Sequence, residues 1–435
     1  MHTHAVAAPV LFPLEITIAM VYNAYMERTI LHCDMNGFFA SVELLEHPEL
    51  KNVPMAVCGS PDNRHGIILA KNEEAKKYGI VTAETLWQAK KKCPQLSCVR
   101  PHMRKYKHYS RLINSIYNRY TDMVEPFSID ESWLDVSASL KLFGSGREIA
   151  DDIRSTVREE LGLTLSAGVS WNKIFAKMGS DYKKPDATTV ISRSNYKDIL
   201  WPMPVRELFF VGSASAEKLT RSGFTTIGDI GSGSREVLTA LLGKQGGMLY
   251  DYSNGLDDSP VSLSCERQKI KSVGNGMTFR RDLIGEDDIK TAVVGLSDRI
   301  CARLRNYELK AGGVKVDIKD SDLKTISRQK QLLSPGNTAE EISQCAMDII
   351  RRTWDMQKPI RLITVTGISL CDENDPQQLN IFSAASADGG RYEKTEKIGR
   401  TIDDIRQRYG NDSISFGRTI GNDIGIDMDF HDEEE

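Results

Sequence analysis

Three carboxylates stand where apolar runs meet polar sequence. Asp34 follows the apolar stretch Thr29 to Cys33, while Asp130 and Glu131 lie together inside Phe127-Ser128-Ile129-Asp130-Glu131-Ser132-Trp133-Leu134-Asp135. Hard oxygen ligands on neighbouring strands suit magnesium, which must also keep waters and substrate phosphates in its shell. Two such ions about 3.5–4 Å apart can activate a hydroxyl and steady a departing phosphate group. Successive residues of a regular strand face opposite sides, so Asp130 and Glu131 can serve one site only at a turn or bulge. Taken alone, an Asp-Glu pair is more often surface charge than a ligand set.

The elements that must position these groups read as mixed α/β. Thr29 to Cys33 predicts a buried strand, followed by a turn at Asp34-Met35-Asn36-Gly37 and helical character from Phe38 to Leu45. Asn72 to Tyr78 predicts a polar helix stopped by Gly79, and Met103 to Tyr120 a helix rich in Lys, Arg and Tyr. Ser128 to Val136 and Leu165 to Ser170 predict further strands, the second leading into a helix over Asn172 to Tyr182. Around Pro202 and Pro204 the pattern changes to short helices punctuated by Gly212, Gly223 and Gly228. Later, Val314, Val316 and Ile318 alternate with Lys315, Asp317 and Lys319, the period of a strand with one wet face. Ile363, Val365 and Ile368 mark another strand, and Ile398, Ile402, Ile405 and Tyr409 an amphipathic helix in a polar tail.

At 435 residues and 40% apolar content, about three domains are expected. The formal charge of -4 conceals opposed regions. Residues 265–361 hold 19 Lys and Arg against 14 Asp and Glu, a net +5, whereas residues 371–435 hold 7 against 16, a net -9. A basic module thus precedes an acidic tail, whose final His431-Asp432-Glu433-Glu434-Glu435 reads as a solvated end. The eight cysteines are scattered without a CxxC pair, which fits ordinary thiols in a reducing cytoplasm. No apolar run reaches the roughly 18–20 residues of a membrane span. Residues 1–25 lack the charge pattern of a secretory signal and read as an extension ahead of Met26, a candidate true start.

Three separated segments carry a family resemblance: Asp34-Met35-Asn36-Gly37-Phe38-Phe39-Ala40-Ser41-Val42-Glu43, Ser128-Ile129-Asp130-Glu131, and Asn172-Lys173-Ile174-Phe175-Ala176-Lys177. In order and spacing they resemble the Y-family DNA polymerases, particularly the bacterial DNA polymerase IV type, over about residues 27–410. The resemblance implies a low-fidelity, translesion DNA polymerase using two Mg2+ ions held by Asp34, Asp130, Glu131 and the backbone carbonyl of Met35. It implies a right-hand polymerase, α/β and α+β multidomain. A mixed α/β palm would span 26–37 and 104–191, with small fingers at 38–103 and a helical, helix-hairpin-helix-like thumb at 192–258. A linker at 259–270, an α+β little finger at 271–370 and the tail at 371–435 would follow. Phe39 would be the steric gate against a 2′-hydroxyl, with Phe38 in the core. Lys184 and Lys76 would hold the dNTP triphosphate. Glu73 and Lys76 stand where relatives carry Tyr and Arg, so weakened nucleotide binding is expected, with Lys71 or Lys77 as substitutes.

Leu208 to Leu219 resembles the thumb hairpin, with Gly212 offering backbone N–H groups to a duplex phosphate and Phe210 replacing the first hairpin glycine. Arg280, Arg281, Lys315, Lys319, Lys324 and Arg328 are the candidate phosphate contacts of the little finger. Gln378-Leu379-Asn380-Ile381-Phe382 resembles the peptide that docks bacterial polymerases on the DNA sliding clamp (beta subunit), with Gln378, Leu379, Ile381 and Phe382 as contacts. Primer-template DNA, dNTP and the clamp are the expected partners of a monomer with no membrane association. The competing readings are a catalytically inactive, clamp-bound DNA-binding scaffold and a nucleotide cyclase with a similar palm. The cyclase has no use for Phe39, the hairpin or the clamp peptide.

Overall fold

A computed structural model describes residues 27–59, 66–266, 269–375 and 389–426. The N-terminal extension and the clamp-type peptide at 378–382 lie outside the described residues. The chain forms two compact units. Of the described residues, one holds 27–58, 68–101 and 105–266, and the other holds 59, 66–67, 102–104, 269–375 and 389–426.

The first unit is organised by a five-stranded sheet in the order β5-β6-β1-β7-β8. Its strands are β1 (Ile30–Met35), β5 (Val124–Pro126), β6 (Glu131–Asp135), β7 (Leu165–Ser170) and β8 (Thr188–Val190). β1 lies between antiparallel neighbours β6 and β7 and is buried at every position, so its apolar residues are covered on both faces. Ser128, Ile129 and Asp130 form a bend rather than strand, which shortens the expected 128–136 element and supplies the turn that Asp130 and Glu131 require. Helix α1 (Phe38–Glu46) begins after Gly37, whose φ of 54° is a left-handed conformation that glycine adopts without strain.

A smaller sheet, β3-β2-β4, joins β2 (Met55–Cys58), β3 (Ile68–Lys71) and β4 (Ser97–Val99). It carries α2 (Glu73–Lys77), capped by the Asn72 side chain, and α3 (Leu86–Lys92). Helix α4 (Met103–Tyr117) ends one turn earlier than its sequence suggested, and α5 (Gly146–Leu161) backs the main sheet. α6 (Lys173–Tyr182) starts where the Asn172 side chain accepts a hydrogen bond from Phe175 N at 2.8 Å, a normal N-cap. Short helices α7 (Ser213–Arg221), α8 (Ile227–Ser232), α9 (Arg235–Leu242) and α10 (Lys244–Ser253) close over Leu208, Leu219, Ile230, Leu238 and Leu249.

The second unit is a four-stranded antiparallel sheet ordered β11-β10-β12-β9, from β9 (Val273–Leu283), β10 (Leu309–Asp320), β11 (Thr325–Gly336) and β12 (Ile360–Asp372). Helices α11 (Gly285–Asn306) and α12 (Ala339–Thr353) cover one face, burying Val314, Val316, Ile318, Ile363 and Val365. The expected period-2 alternation of β10 is present.

The acidic tail is corrected in part. Helix α13 (Gly389–Tyr409) and the turns after it pack on α11, and Ile424 and Ile426 belong to the core of this unit. Net charge concealed specific pairing. Arg406 reaches Asp298 at 2.8 Å with both side chains buried, and Arg305 grips Asp403 at 2.6 and 2.9 Å. Among the described residues no helix is long and apolar enough to cross a membrane.

Candidate active site

Asp34 and Glu131 are direct partners across the β1/β6 ladder, so their side chains leave the sheet on the same face and share a hydrogen bond. Asp130 is held beside them from the bend. Its carbonyl accepts from Met35 N at 3.1 Å, and its carboxylate accepts from Ser128 Oγ at 2.7 Å. All three acids and Met35 line one cavity of about 480 Å³.

Two lysines complete this wall. Lys177 Nζ lies 2.9 Å from Asp34 and 2.6 Å from Glu131, and Lys184 Nζ lies 2.7 Å from Asp34 and 2.6 Å from Asp181. Burial opposes ionisation of Asp34, yet the hydrogen bond from Glu131 and the charges of Lys177 and Lys184 together hold its carboxyl at about 2. Glu131 moves the other way, to about 7, because burial and the hydrogen bond to Asp34 favour its protonated form. Burial, assisted by the Asp34 charge, also raises Asp130. Lys177 and Lys184 are both raised, since the surrounding carboxylates outweigh their desolvation.

α6 can bring Lys177 this close because β7 carries glycine where the two meet. A Cβ on Gly168 would lie 1.9 Å from the carbonyl oxygen of Ala176. Asn36 fixes the adjoining loop, accepting from Asp186 N at 2.8 Å and donating to Ser166 Oγ at 3.0 Å. Lys177, Asp181 and Asn36 gave no separate signal in the sequence, although Lys177 and Asn36 lie inside quoted motifs.

Phe38 and Phe39 both line the cavity; Phe38 is otherwise buried, and Phe39 stacks on Tyr106, with centroids 4.1 Å apart and planes 10° from parallel. Lys71, Lys76 and Thr82 also line it. Lys77 does not; it pairs with Glu74 at 2.6 Å. Glu73 acts on Lys76 directly, through an ion pair of 2.5 Å, rather than by facing the cavity itself.

Phe210 has φ of 69°, a left-handed conformation costing roughly 1–2 kcal/mol in a non-glycine residue. Gln245 steadies it by donating to its carbonyl at 3.0 Å. Gly212 then precedes α7, whose first turn has no side-chain cap.

In the second unit the candidate phosphate contacts separate. Lys315 and Lys319 point to the open face, opposite Gln329 and Thr325, although Lys315 also pairs with Asp317 at 3.2 Å. Arg328 lies opposite Val316, so it leaves the sheet on the other face from the two lysines, and it is exposed. Arg281 is engaged by Asp288 at 2.5 and 3.0 Å and by Asp423 at 2.7 Å, so it is not a free cation for phosphate. Arg280 donates its backbone N–H to Ile424 at 3.2 Å. Lys324 follows β10 in a turn and is exposed.

Comparison with known proteins agrees with this architecture. The family model described as the impB/mucB/samB family matches residues 33–181, and that of its C-terminal domain matches 270–381. DNA polymerase IV of Acetivibrio thermocellus is 44% identical over 392 residues, covering 90% of this chain and 97% of that protein. DNA polymerase IV 2 of Bacillus subtilis is 36% identical, covering 89% and 93%. A solved Y-family DNA polymerase chimera of Dbh and Dpo4 superposes with a TM-score of 0.71 at 25% identity, covering 79% of this chain and 99% of its own. The chain therefore belongs to the Y family of DNA polymerases, of the DNA polymerase IV type.

Proposed function

We propose that this DNA-directed DNA polymerase adds deoxynucleotides to a primer 3′ end on the wall formed by Asp34, Asp130 and Glu131. The observation that carries the reading is the convergence of these three acids and two lysines on one cavity that Phe39, Lys71 and Lys76 also line. In the reaction the primer 3′-oxygen, losing its proton, forms a bond to the α-phosphorus as the bond to pyrophosphate breaks.

The donor set fits hard divalent cations, for it is oxygen-rich and already draws positive charge between its members. Among the described residues no trio of acid, His or Cys side chains is arranged as a ready-made cage, and the lysine ammoniums occupy the places between the carboxylates. Two Mg2+ ions, when held by Asp34, Asp130, Glu131 and the Met35 carbonyl, supply Lewis acidity and neutralise phosphate charge. Lys184 and Lys76 serve as triphosphate cations. Phe39, braced by Tyr106, selects against a 2′-hydroxyl.

In this reading the five-stranded sheet is the palm, the β3-β2-β4 module the fingers, the short helices the thumb and the second unit the little finger. DNA is gripped through Gly212, Lys315 and Lys319, and the sliding clamp through residues 378–382. Such an enzyme copies damaged template with low fidelity, as a cytoplasmic monomer tethered by its clamp. Primer extension with dNTP and magnesium tests the proposal. Template-directed addition of the complementary nucleotide is expected; a chain that binds primer-template but never extends it is a DNA-binding scaffold instead.

A further inference from the structure

The β3-β2-β4 module displays an aromatic ring that packing does not account for. Trp87 in α3 is 70% exposed, whereas a tryptophan is highly buried on average. Its helix is nevertheless fixed. Leu86, Ala89 and, just beyond, Cys93 enter the module's core, and Thr85 forms a capping box with Gln88 at the helix start.

The outward face around Trp87 is basic. Lys90 and Lys91 follow by three and four residues, so they share its side of the helix, and Lys91 Nζ is 5.5 Å from the indole centroid. Among the described residues, Lys92 is the lysine of α3 that is neutralised, by Glu84 at 2.7 Å, and the helix itself contains no acidic residue. A rigid indole flanked by ammonium groups matches one nucleobase with phosphates on either side. A protein partner would need a broader apolar surface than one ring on a lysine-rich helix provides.

The position suits the unpaired template strand. Thr82, five residues before Trp87, lines the cavity, and Lys71 donates to its hydroxyl at 3.1 Å, which ties the approach to α3 to the nucleotide end of the site.

We infer that Trp87, with Lys90 and Lys91, is a stacking site for single-stranded DNA, the template ahead of the base being copied. This rests on the polymerase reading. The test compares wild type with Trp87→Ala and Trp87→Phe for binding to primer-templates whose template overhang is one or about ten nucleotides long. Lengthening the overhang should tighten wild-type binding about tenfold, and that gain should vanish in Trp87→Ala and partly return in Trp87→Phe. A second arm titrates an oligothymidylate of about 16 nucleotides without metal or dNTP, following tryptophan emission. Wild-type emission should be quenched, and the quench should be lost in Trp87→Phe. An equal overhang gain in wild type and Trp87→Ala, or no response to the oligothymidylate, overturns the inference. Primer extension on the one-nucleotide overhang is read in parallel. Its loss in wild type strikes the polymerase reading, whereas its persistence beside an unchanged Trp87→Ala strikes this inference alone.

Discussion

The ammonium of Lys177 sits between Asp34 and Glu131, 2.9 Å from the first and 2.6 Å from the second. A buried lysine in that position offsets the mutual repulsion of acids that would otherwise resist being gathered on one wall. Its reach depends on how closely α6 approaches β7, and hence on Gly168.

Gly168→Ala would force a methyl group into the Ala176 carbonyl, a backbone atom that cannot swing aside. An overpacking cost of at least 1–3 kcal/mol is expected, roughly, with a displaced Lys177 and a reduced polymerisation rate. A urea midpoint equal to wild type would show that the helix moves without cost.

The second unit should depend on its C-terminal segment. Arg406→Ala leaves Asp298, a nearly inaccessible acid, without its buried partner, and a loss of about 3–5 kcal/mol is expected. Chemical unfolding of the full chain checks this. A loss below about 1 kcal/mol would mean that the pair behaves like a surface one.

These two cases also mark what the sequence could disclose. Asp34, Asp130 and Glu131 were legible because each sits at a strand end inside a distinctive segment. Lys177 was not, since a lysine on a helix looks alike whether it faces solvent or a carboxylate. The helix around Ile398 to Tyr409 was legible, but its docking was not, because the net charge of -9 over residues 371–435 says nothing about which arginine meets which aspartate. That Arg328 leaves the sheet on the other face from Lys315 and Lys319 was hidden for a similar reason. Its direction follows from the pairing register with Val316, which is a tertiary fact.

Acid should expose the Arg281 cluster. Hydrogen bonds from Arg281 hold the Asp288 carboxyl below its ordinary 3.8, against the opposing effect of burial. Because the folded value is the lower one, this stabilisation is present in full above 3.8 and is lost as pH falls through the folded value. Arg281→Met should therefore lower the melting temperature at neutral pH, and the gap from wild type should close under acid. A gap that stays constant from neutral pH down to about 2 would contradict this assignment.

Glu73 restrains Lys76, and releasing that lysine should favour the triphosphate. The pair is solvent-exposed, worth at most about 1 kcal/mol, so Glu73→Gln should lower the apparent KM for dNTP by up to about fivefold with kcat little changed. Steady-state extension kinetics decide the matter, and a raised KM would show that the ion pair positions Lys76 usefully.

The most direct test of the central claim is single-turnover nucleotide addition by Asp34→Asn, a change that keeps shape and removes charge. If Asp34 holds the reacting centre together with Asp130 and Glu131, the rate should fall by about a thousandfold or more, a loss of about 4 kcal/mol of transition-state stabilisation, while primer-template affinity stays near wild type. Addition within about tenfold of the wild-type rate would place the chemistry elsewhere in the molecule.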